Sequence, residues 1–396
     1  MIDMVHTHAY GVLMAGGIGS RFWPMSRREQ PKQFLDILDE GRTMIRSTAF
    51  RLEAVAPASH FYVVTGQLYQ DEVLRQLPYL HPSQVLTEPV GRNTAPCIAY
   101  AAYRIYAEDP EAIMVVCPSD HHIDDAVAYQ RVLHQAITYV AEHDVLMTIG
   151  IEPTYPATGY GYIELTGEPD DGVYRVARFK EKPELEEAKR LIARGNHLWN
   201  AGIFVWKAID IINALEKYLP DVAVHFAEIR TYGEPGEAED AAAAYRHCPS
   251  ISIDYGVLEK ADNVVVLPGS FGWDDIGTWS GLERYMKEHR ETASDEQTVF
   301  LDGSDGTFVR ETTKGKKVVV NGLEDFLIVD TPDMLFIAPK GDEAYLTELI
   351  RKYPKETGVE CPPSTRRRGA QRECPRNSLY LTTHLGSNSF TGIRQL

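Results

Sequence analysis

The apolar run Tyr10–Met14 breaks directly into Ala15-Gly16-Gly17-Ile18-Gly19-Ser20, and four cations follow it: Arg21, Arg27, Arg28 and Lys32. A strand ending in glycines belongs inside a sheet, and its turn leaves backbone amides free to face an anion. Three phosphate-binding turns compete for this stretch. A P-loop needs G-x-x-x-x-G-K-[ST]. Gly11 and Gly16 have that spacing, but Gly17 stands where the lysine belongs. A Rossmann fingerprint needs G-x-G-x-x-G running into a helix. Gly17 and Gly19 begin one, yet Phe22 replaces the third glycine, Pro24 obstructs a helix, and no acidic residue follows at the required spacing. The third turn stays extended. Pro24 and Pro31 hold the chain away from helix, so that Arg21 and Lys32 are carried back over one pocket. Its glycine amides would cradle a triphosphate, and its cations would neutralise it.

Charge makes that island informative. The chain of 396 residues has a formal net charge of −17, whereas residues 10–34 carry those four cations against one acid, Glu29. An acidic surface cannot displace counterions from a polynucleotide, so nucleic acid is excluded as a partner, while a small anion is not. No apolar run is long enough to span a bilayer and the first residues lack a signal pattern, so a soluble cytoplasmic protein is expected, with no membrane partner. The five cysteines, Cys97, Cys117, Cys248, Cys361 and Cys374, include no C-x-x-C pair, which points to a reducing compartment and to neither a disulfide framework nor a zinc site.

From residue 10 to about 150, short apolar runs alternate with longer amphipathic ones. Strands are predicted at Gly11–Met14, Phe61–Thr65, Val85–Thr87, Ala112–Cys117 and Val145–Ile149. Helices are predicted near Met44–Val55, Tyr69–Leu77, Ala95–Ala107 and Tyr129–Glu142. That rhythm reads as an α/β fold with a Rossmann-like doubly wound sheet, in which ligands sit at the carboxyl ends of strands, where Gly16, Glu88 and Asp120 emerge. From about 159 to 280, "GYGYIEL", "RVARFKEKP", "NAGIFVWK" and "NVVVLPG" mix with helices near Glu184–Ala193 and Asp210–Lys217, as a substrate-facing extension that makes the sheet mixed. "YGEPGEAEDAAAA" reads as a loop leading into a helix. After a helix near Thr278–His289, repeated short strands punctuated by Gly and Asp indicate a small all-β, β-helix-like domain closed by a helix at Glu343–Lys352. The expected division is 1–285 for the catalytic domain, 286–355 for the small β domain and 356–396 for a basic, proline-bearing disordered tail. The small β domain is a candidate interface for a homodimer.

The run G-G-x-G-x-R-x-W-P-x-S-R-x-x-x-P-K-Q-F resembles the signature of the mannose-1-phosphate guanylyltransferases, a branch of the sugar nucleotidyltransferases. "EPVGRNTAP" (88–96), "PSDHH" (118–122), "GYGYIE" (159–164), "FKEKP" (179–183), "WNAGIFVW" (199–206), "SIDYGVLEK" (252–260) and "GWDDIGTW" (272–279) follow in matching order. The resemblance covers roughly residues 8–352 and fails in the tail. No cupin-like isomerase module follows, so it implies the transferase activity alone. The implied reaction is attack of mannose 1-phosphate on the α-phosphorus of GTP, giving GDP-mannose and pyrophosphate with the aid of Mg²⁺.

The resemblance assigns roles that suit the residue types. Two anions must meet, so catalysis should consist of positioning and charge neutralisation. Arg21 and Lys32 would hold the β- and γ-phosphates, one of Arg27 and Arg28 would help, and Asp120 and Asp275 would converge on a hard cation. Asp274 is the less favoured member of its pair. Ala15, Gly16, Gly17, Gly19 and Ser20 would receive the nucleotide phosphates. Glu88, Gly91, Arg92, Asn93 and Thr94 would form the base and ribose wall. Lys182 would hold the sugar phosphate as a point charge, Glu164, Glu181 and Asn200 would bond sugar hydroxyls, and Gly159 and Gly161 would close over the ring. His121 and His122 have no further ligands at metal-binding spacing and are expected to be structural or to support the site. Gly256 is smaller than the residue usual in the family and is expected to loosen one wall. The alternatives are a transferase with another sugar 1-phosphate or nucleotide, a non-catalytic GDP-mannose-binding regulator, and, on Gly17-x-Gly19 alone, a dehydrogenase.

Overall fold

Alternation within the first strand decides how the molecule is layered. Successive side chains of a strand point to opposite faces. In β1 (Ala9–Met14), Tyr10 and Val12 accordingly join one apolar cluster, while Ala9 and Leu13 join another. Both faces are therefore covered, which is why the strand reads as a continuous apolar run. The structure, a computed structural model, describes residues 6–17, 20–289, 298–313, 315–341, 348, 349 and 352. Contacts group Met1–Glu360 apart from Cys361–Leu396, and the expected tail and most of the closing helix lie outside the described residues.

The following strands are β2 (Phe61–Gly66), β3 (Val85–Glu88), β4 (Ile113–Pro118), β5 (His122–Ile123), β6 (Leu146–Ile151), β7 (Tyr162–Asp170), β8 (Val173–Lys180), β9 (His197–Lys207), β10 (Val264–Gly269) and β11 (Trp273–Asp274). Nine of the eleven form one sheet in the order β3-β2-β1-β4-β9-β6-β10-β8-β7, with β7 also pairing to β9. The strands β3, β2, β1 and β4 are parallel. The long strand β9 then wedges in antiparallel between β4 and β6. The extension beyond residue 159 thus belongs to the same sheet and makes it mixed, as its fold class requires.

Helices Thr94–Glu108, Ala208–Tyr218 and Glu237–His247 cover the Tyr10 face, together with Pro220–Ala227, a helix absent from the sequence reading. Its proline sits in the first turn, where a missing N–H costs nothing. Ala126–Glu142 and Met44–Leu52 cover the Leu13 face.

Beyond the helix Trp279–His289 come β12 (Val299–Asp302), β13 (Phe308–Glu311), β14 (Val318–Asn321), β15 (Phe326–Asp330) and β16 (Leu335–Pro339). β12 lies parallel to β14 and β13 parallel to β15, with β16 antiparallel at the end. Bonds such as Leu323 N–H to Ser304 Oγ and Phe326 N–H to Thr307 Oγ1 join residues 19 apart, the pattern of stacked coils. These coils are the small β element predicted, and they share an apolar cluster with the glycine-loop segment and the residues after Asp275. Phe22, Trp23 and Ile37 meet Ile276, Trp279 and Leu282 against Leu327, Val329 and Phe336.

Two arginine clamps reinforce that joint. Arg27 grips Asp333 with both terminal nitrogens, at 2.6 and 2.8 Å. Arg310, buried, donates to Asp39 at 2.7 Å and to the Ile37 carbonyl at 3.0 Å. Asp39 is half exposed and rehydrates when its partner is lost, whereas the Ile37 carbonyl does not. Arg310→Ala should therefore lower unfolding free energy by about 2 kcal/mol, read from the urea midpoint. An unchanged midpoint would show that the clamp adds nothing to the joint.

Candidate active site

The carboxyl ends of β1, β2 and β4 meet where the glycine turn begins. Ser119 N–H bonds the Met14 carbonyl, and Thr65 Oγ1 bonds that of Ala15. Gln33, buried in the short turn Lys32–Phe34, donates Nε2 to the carbonyls of Ala15 at 2.8 Å and Gly17 at 3.0 Å. The segment is thereby folded back onto the turn, but it runs through 3-10 turns at Ser20–Phe22 and Lys32–Phe34 instead of staying extended. Ile18 and Gly19 lie outside the described residues, and Ser20 begins a short 3-10 turn with Arg21 and Phe22.

Lys32 is the centre of the arrangement. Its ammonium, buried, donates to the Asp120 carbonyl at 2.7 Å, to Asp120 Oδ2 at 3.1 Å and to the Asp275 carbonyl at 2.7 Å. Two aspartates from distant parts of the chain are thus brought to one point. The antiparallel ribbon of β5 and β11 supports this, with Asp274 opposite His122 and Trp273 opposite Ile123. Burial pushes the Asp120 carboxyl up, but Lys32, His121 and Arg21 outweigh it and hold the group below the usual carboxylate range. Arg21 is exposed, and its Nη1 lies 3.1 Å from where a β-carbon on Gly277 would stand, beside Asp275 Oδ2 at 2.7 Å from the same point.

Asp275 Oδ1 accepts from the Tyr160 hydroxyl at 2.8 Å and from Gly277 N–H at 2.9 Å. Asp274 turns away, accepting from Ile276 N–H and from Arg284, each at 2.7 Å. It is neutralised there rather than adding charge beside Asp275. Burial pulls the His121 imidazole down against the charges of Asp120 and Asp275, and its Nδ1 accepts from the Trp273 indole at 3.2 Å. His122 bonds Asp124 at 2.7 Å. Among the described residues no group of three or more His, Cys, Asp or Glu could hold a metal by itself.

A cavity of about 190 Å³ opens beside Asp275, lined among others by Gly159, Tyr160, Gly161, Glu181, Lys182, Asn200 and Asp254. Lys182 has left-handed backbone (φ 43°) and its ammonium pairs with Glu181. A β-carbon on Gly161 would stand 2.6 Å from Glu181 Oε2, so that position needs glycine for the carboxylate to enter. Glu164 lies instead on β7 opposite Arg178 and His197, outside this lining. Gly256 also stays outside. A β-carbon there would meet Leu219 Cδ1 at 2.4 Å, so the glycine admits core packing and does not loosen the cavity wall.

On the other side of the glycine turn, Glu88 ends β3, buried, with Oε1 lacking a partner among the described residues. Its Oε2 is 2.7 Å from where a β-carbon on Gly16 would be, and burial pushes its carboxyl up to about 7. Asn93, in left-handed backbone (φ 70°), caps the helix Thr94–Glu108 by accepting from Thr94 N–H. A β-carbon on Gly17, Gly91 or Gly159 would meet nothing within 4 Å, so these glycines leave open room. Arg92 is occupied by the Tyr245 and Arg246 carbonyls, at 3.2 and 3.4 Å.

The family model for nucleotidyl transferases matches residues 10–292, well over half of the chain. The chain belongs to the nucleotidyl transferase family. The mannose-1-phosphate guanylyltransferase of Escherichia coli K12 is 36% identical over 85% of this chain and 72% of its own. The alginate biosynthesis protein AlgA of Pseudomonas aeruginosa is 35% identical over 83% and 69%. Among solved structures, a Thermus thermophilus protein described as a mannose-1-phosphate geranyltransferase superposes with a TM-score of 0.74 at 30% identity, covering 88% of this chain and 99% of that one. No helix among the described residues of this transferase is long and apolar enough to cross a membrane.

Four supporting residues of the transferase escaped the sequence reading. Gln33 stands in the motif P-K-Q-F, next to the lysine that attracted the attention. Tyr160 stands between the two glycines of "GYGYIE", Thr148 in the apolar strand β6, and Asp254 in "SIDYG". Gln33, Tyr160 and Asp254 were all inside recognised motifs, and that placement was the available signal. Thr148 in an apolar run gave none.

Proposed function

We propose that this transferase moves GMP from GTP to mannose 1-phosphate, releasing pyrophosphate, by direct in-line displacement. The observation that carries the reading is the triple donation from Lys32, which joins both aspartates beneath the glycine turn and beside the polar cavity. The nucleotide phosphates would lie on the amides of Gly16 and Gly17, since the Ala15 N–H is taken by the Val64 carbonyl at 2.8 Å, with Arg21 and Lys32 drawing off their charge. The buried Glu88 carboxyl, whose Oε1 has no partner among the described residues, suits an N–H group of a guanine edge, and Asn93 and Thr94 would border the ribose. The sugar would occupy the cavity, with its phosphate reached by Lys182.

An oxygen of mannose 1-phosphate, already anionic, attacks the α-phosphorus, and the bond to the β-phosphate oxygen breaks with its electron pair leaving on pyrophosphate. No general base is needed. The chain's contribution is alignment and neutralisation of charge on the equatorial oxygens. The two carboxylates Asp120 and Asp275 are hard oxygen donors that fit Mg²⁺ completed by phosphate and water oxygens. Bound there, the ion would supply additional charge neutralisation.

Incubation with GTP, mannose 1-phosphate and Mg²⁺ should yield a GDP-hexose detectable by mass spectrometry, in equal amount to pyrophosphate. Tight binding of GDP-mannose without this product would instead favour the regulatory reading.

A further inference from the structure

Asn200 was expected to bond the sugar directly, but its bonding capacity is largely taken up within the protein. Its Oδ1 accepts from Thr148 Oγ1 at 2.8 Å and from Gly202 N–H at 3.1 Å, which fills both lone pairs. Its Nδ2 donates to Asp254 Oδ1 at 2.9 Å. The amide is locked in one orientation, and what that orientation fixes is a carboxylate.

Asp254 begins a short π-helical turn, Asp254–Leu258, whose approach is pinned by Ile253 N–H bonding Thr94 Oγ1 at 2.9 Å. It lines the cavity together with Glu181. Burial, then the charge of Glu181, pushes its carboxyl up to about 6. Two acids are thus kept in one small cavity. Lys182 faces Glu181 as its ion-pair partner, while Asp254 receives its side-chain hydrogen bond from the neutral amide of Asn200. A carboxylate so placed is short of donors, and hydroxyl groups are the neutral donors that relieve it without cancelling its charge.

We infer that Asp254 is a specificity-determining acceptor for a hydroxyl of the sugar 1-phosphate, and that Thr148 and Asn200 are the positioning residues that aim it. This rests on the proposed function, since it assumes that the cavity holds the sugar. It changes the division of labour there. Asn200 sets direction, and the carboxylates of Asp254 and Glu181 read the hydroxyl pattern. A site that offers a carboxylate to a hydroxyl rejects analogues lacking that hydroxyl, because the acid is then left unpaired.

The test is steady-state kinetics of Asp254→Asn with GTP and mannose 1-phosphate, alongside a set of mannose 1-phosphates each lacking one hydroxyl. The variant should raise KM for the sugar phosphate about 10- to 100-fold, the scale of a hydrogen bond to a charged group, and leave KM for GTP within about twofold. For one deoxy analogue the losses should fail to add, because substitution and analogue remove the same contact. Thr148→Val, which frees the Asn200 amide without touching the cavity, should shift the same KM by about threefold in the same direction and gives the answer if Asp254→Asn does not fold. Equal rises in both KM values, or additive losses for every analogue, would overturn the assignment. Wild-type activity with a different sugar 1-phosphate would contradict the substrate reading alone, and the comparison of variants then runs with that sugar. Absence of turnover with every sugar 1-phosphate overturns both.

Discussion

Lys32→Met should cut the rate of pyrophosphate release by about two to three orders of magnitude, the scale for one preorganised charge-stabilising group. The ammonium is buried and makes three hydrogen bonds, two of them to backbone carbonyls of the segments that carry Asp120 and Asp275. Methionine retains most of the side-chain volume and removes the charge and all three donors. Two effects then act together. The phosphates lose a cation, and the two aspartate-bearing segments lose the group that holds them in register. The substitution also leaves the Asp120 carboxylate without its largest stabilising charge. Initial rates at saturating GTP, with folding followed by circular dichroism, check this. A folded variant within a few fold of wild type would remove Lys32 from the chemistry and leave it a structural bridge.

Asp275→Asn is expected to lose a similar factor by a different route. Both bonds to Asp275 Oδ1, from the Tyr160 hydroxyl and Gly277 N–H, can be kept by the amide oxygen of asparagine. The loop is therefore preserved and one negative charge is removed. If the two aspartates share Mg²⁺, the fall of about two to three orders of magnitude should come with a higher Mg²⁺ concentration for half-maximal rate. A loss of rate at an unchanged Mg²⁺ requirement would show that the Asp275 charge serves the reaction without holding the ion. The same substitution at Asp274 should have a much smaller effect on the Mg²⁺ requirement, because that carboxylate is occupied by Arg284.

The pairing of Lys32 with both aspartates shows where sequence reading reaches and where it stops. The strand β1, the glycine turn and the prolines after it are local features, and each predicts its own conformation from φ limits and side-chain alternation. The helix Thr94–Glu108 announced itself similarly through Pro96 in its first turn, although its cap is Asn93 and not the Thr94 that the sequence suggested. The position of β9 was not legible. Its apolar character marks a buried strand, but nothing local to residues 197–207 says that it enters between β4 and β6 and runs against both. That placement is decided by the edge of β4 left unpaired once β1 to β4 have packed.

Side-chain roles divide along the same line. Motif resemblance pointed to Glu181, Lys182 and Asn200, and the fold brings them to one cavity. It also pointed to Glu164, which a short distance along β7 faces Arg178 and His197 instead, since strand periodicity and register decide which residues reach a site. Arg27 looked like an anion ligand because it is a cation in the phosphate-binding segment, and Arg92 was expected in the base and ribose wall. Arg27 is consumed by Asp333, more than three hundred residues away, and Arg92 by two helix-end carbonyls. The partner of a charge is a tertiary fact. Asp254 was passed over because its importance comes from what Asn200 cannot do for the sugar once Thr148 and Gly202 have claimed it.

The measurement that bears most directly on the whole account is the initial rate of pyrophosphate release from purified protein with Mg²⁺, for each of four nucleoside triphosphates against mannose 1-phosphate and glucose 1-phosphate. The buried Glu88 carboxyl, the Lys32 bridge and the acid-lined cavity together predict fast release with GTP and mannose 1-phosphate and slow release with every other pair. Equal rates across the bases, or no release from any pair, would contradict it.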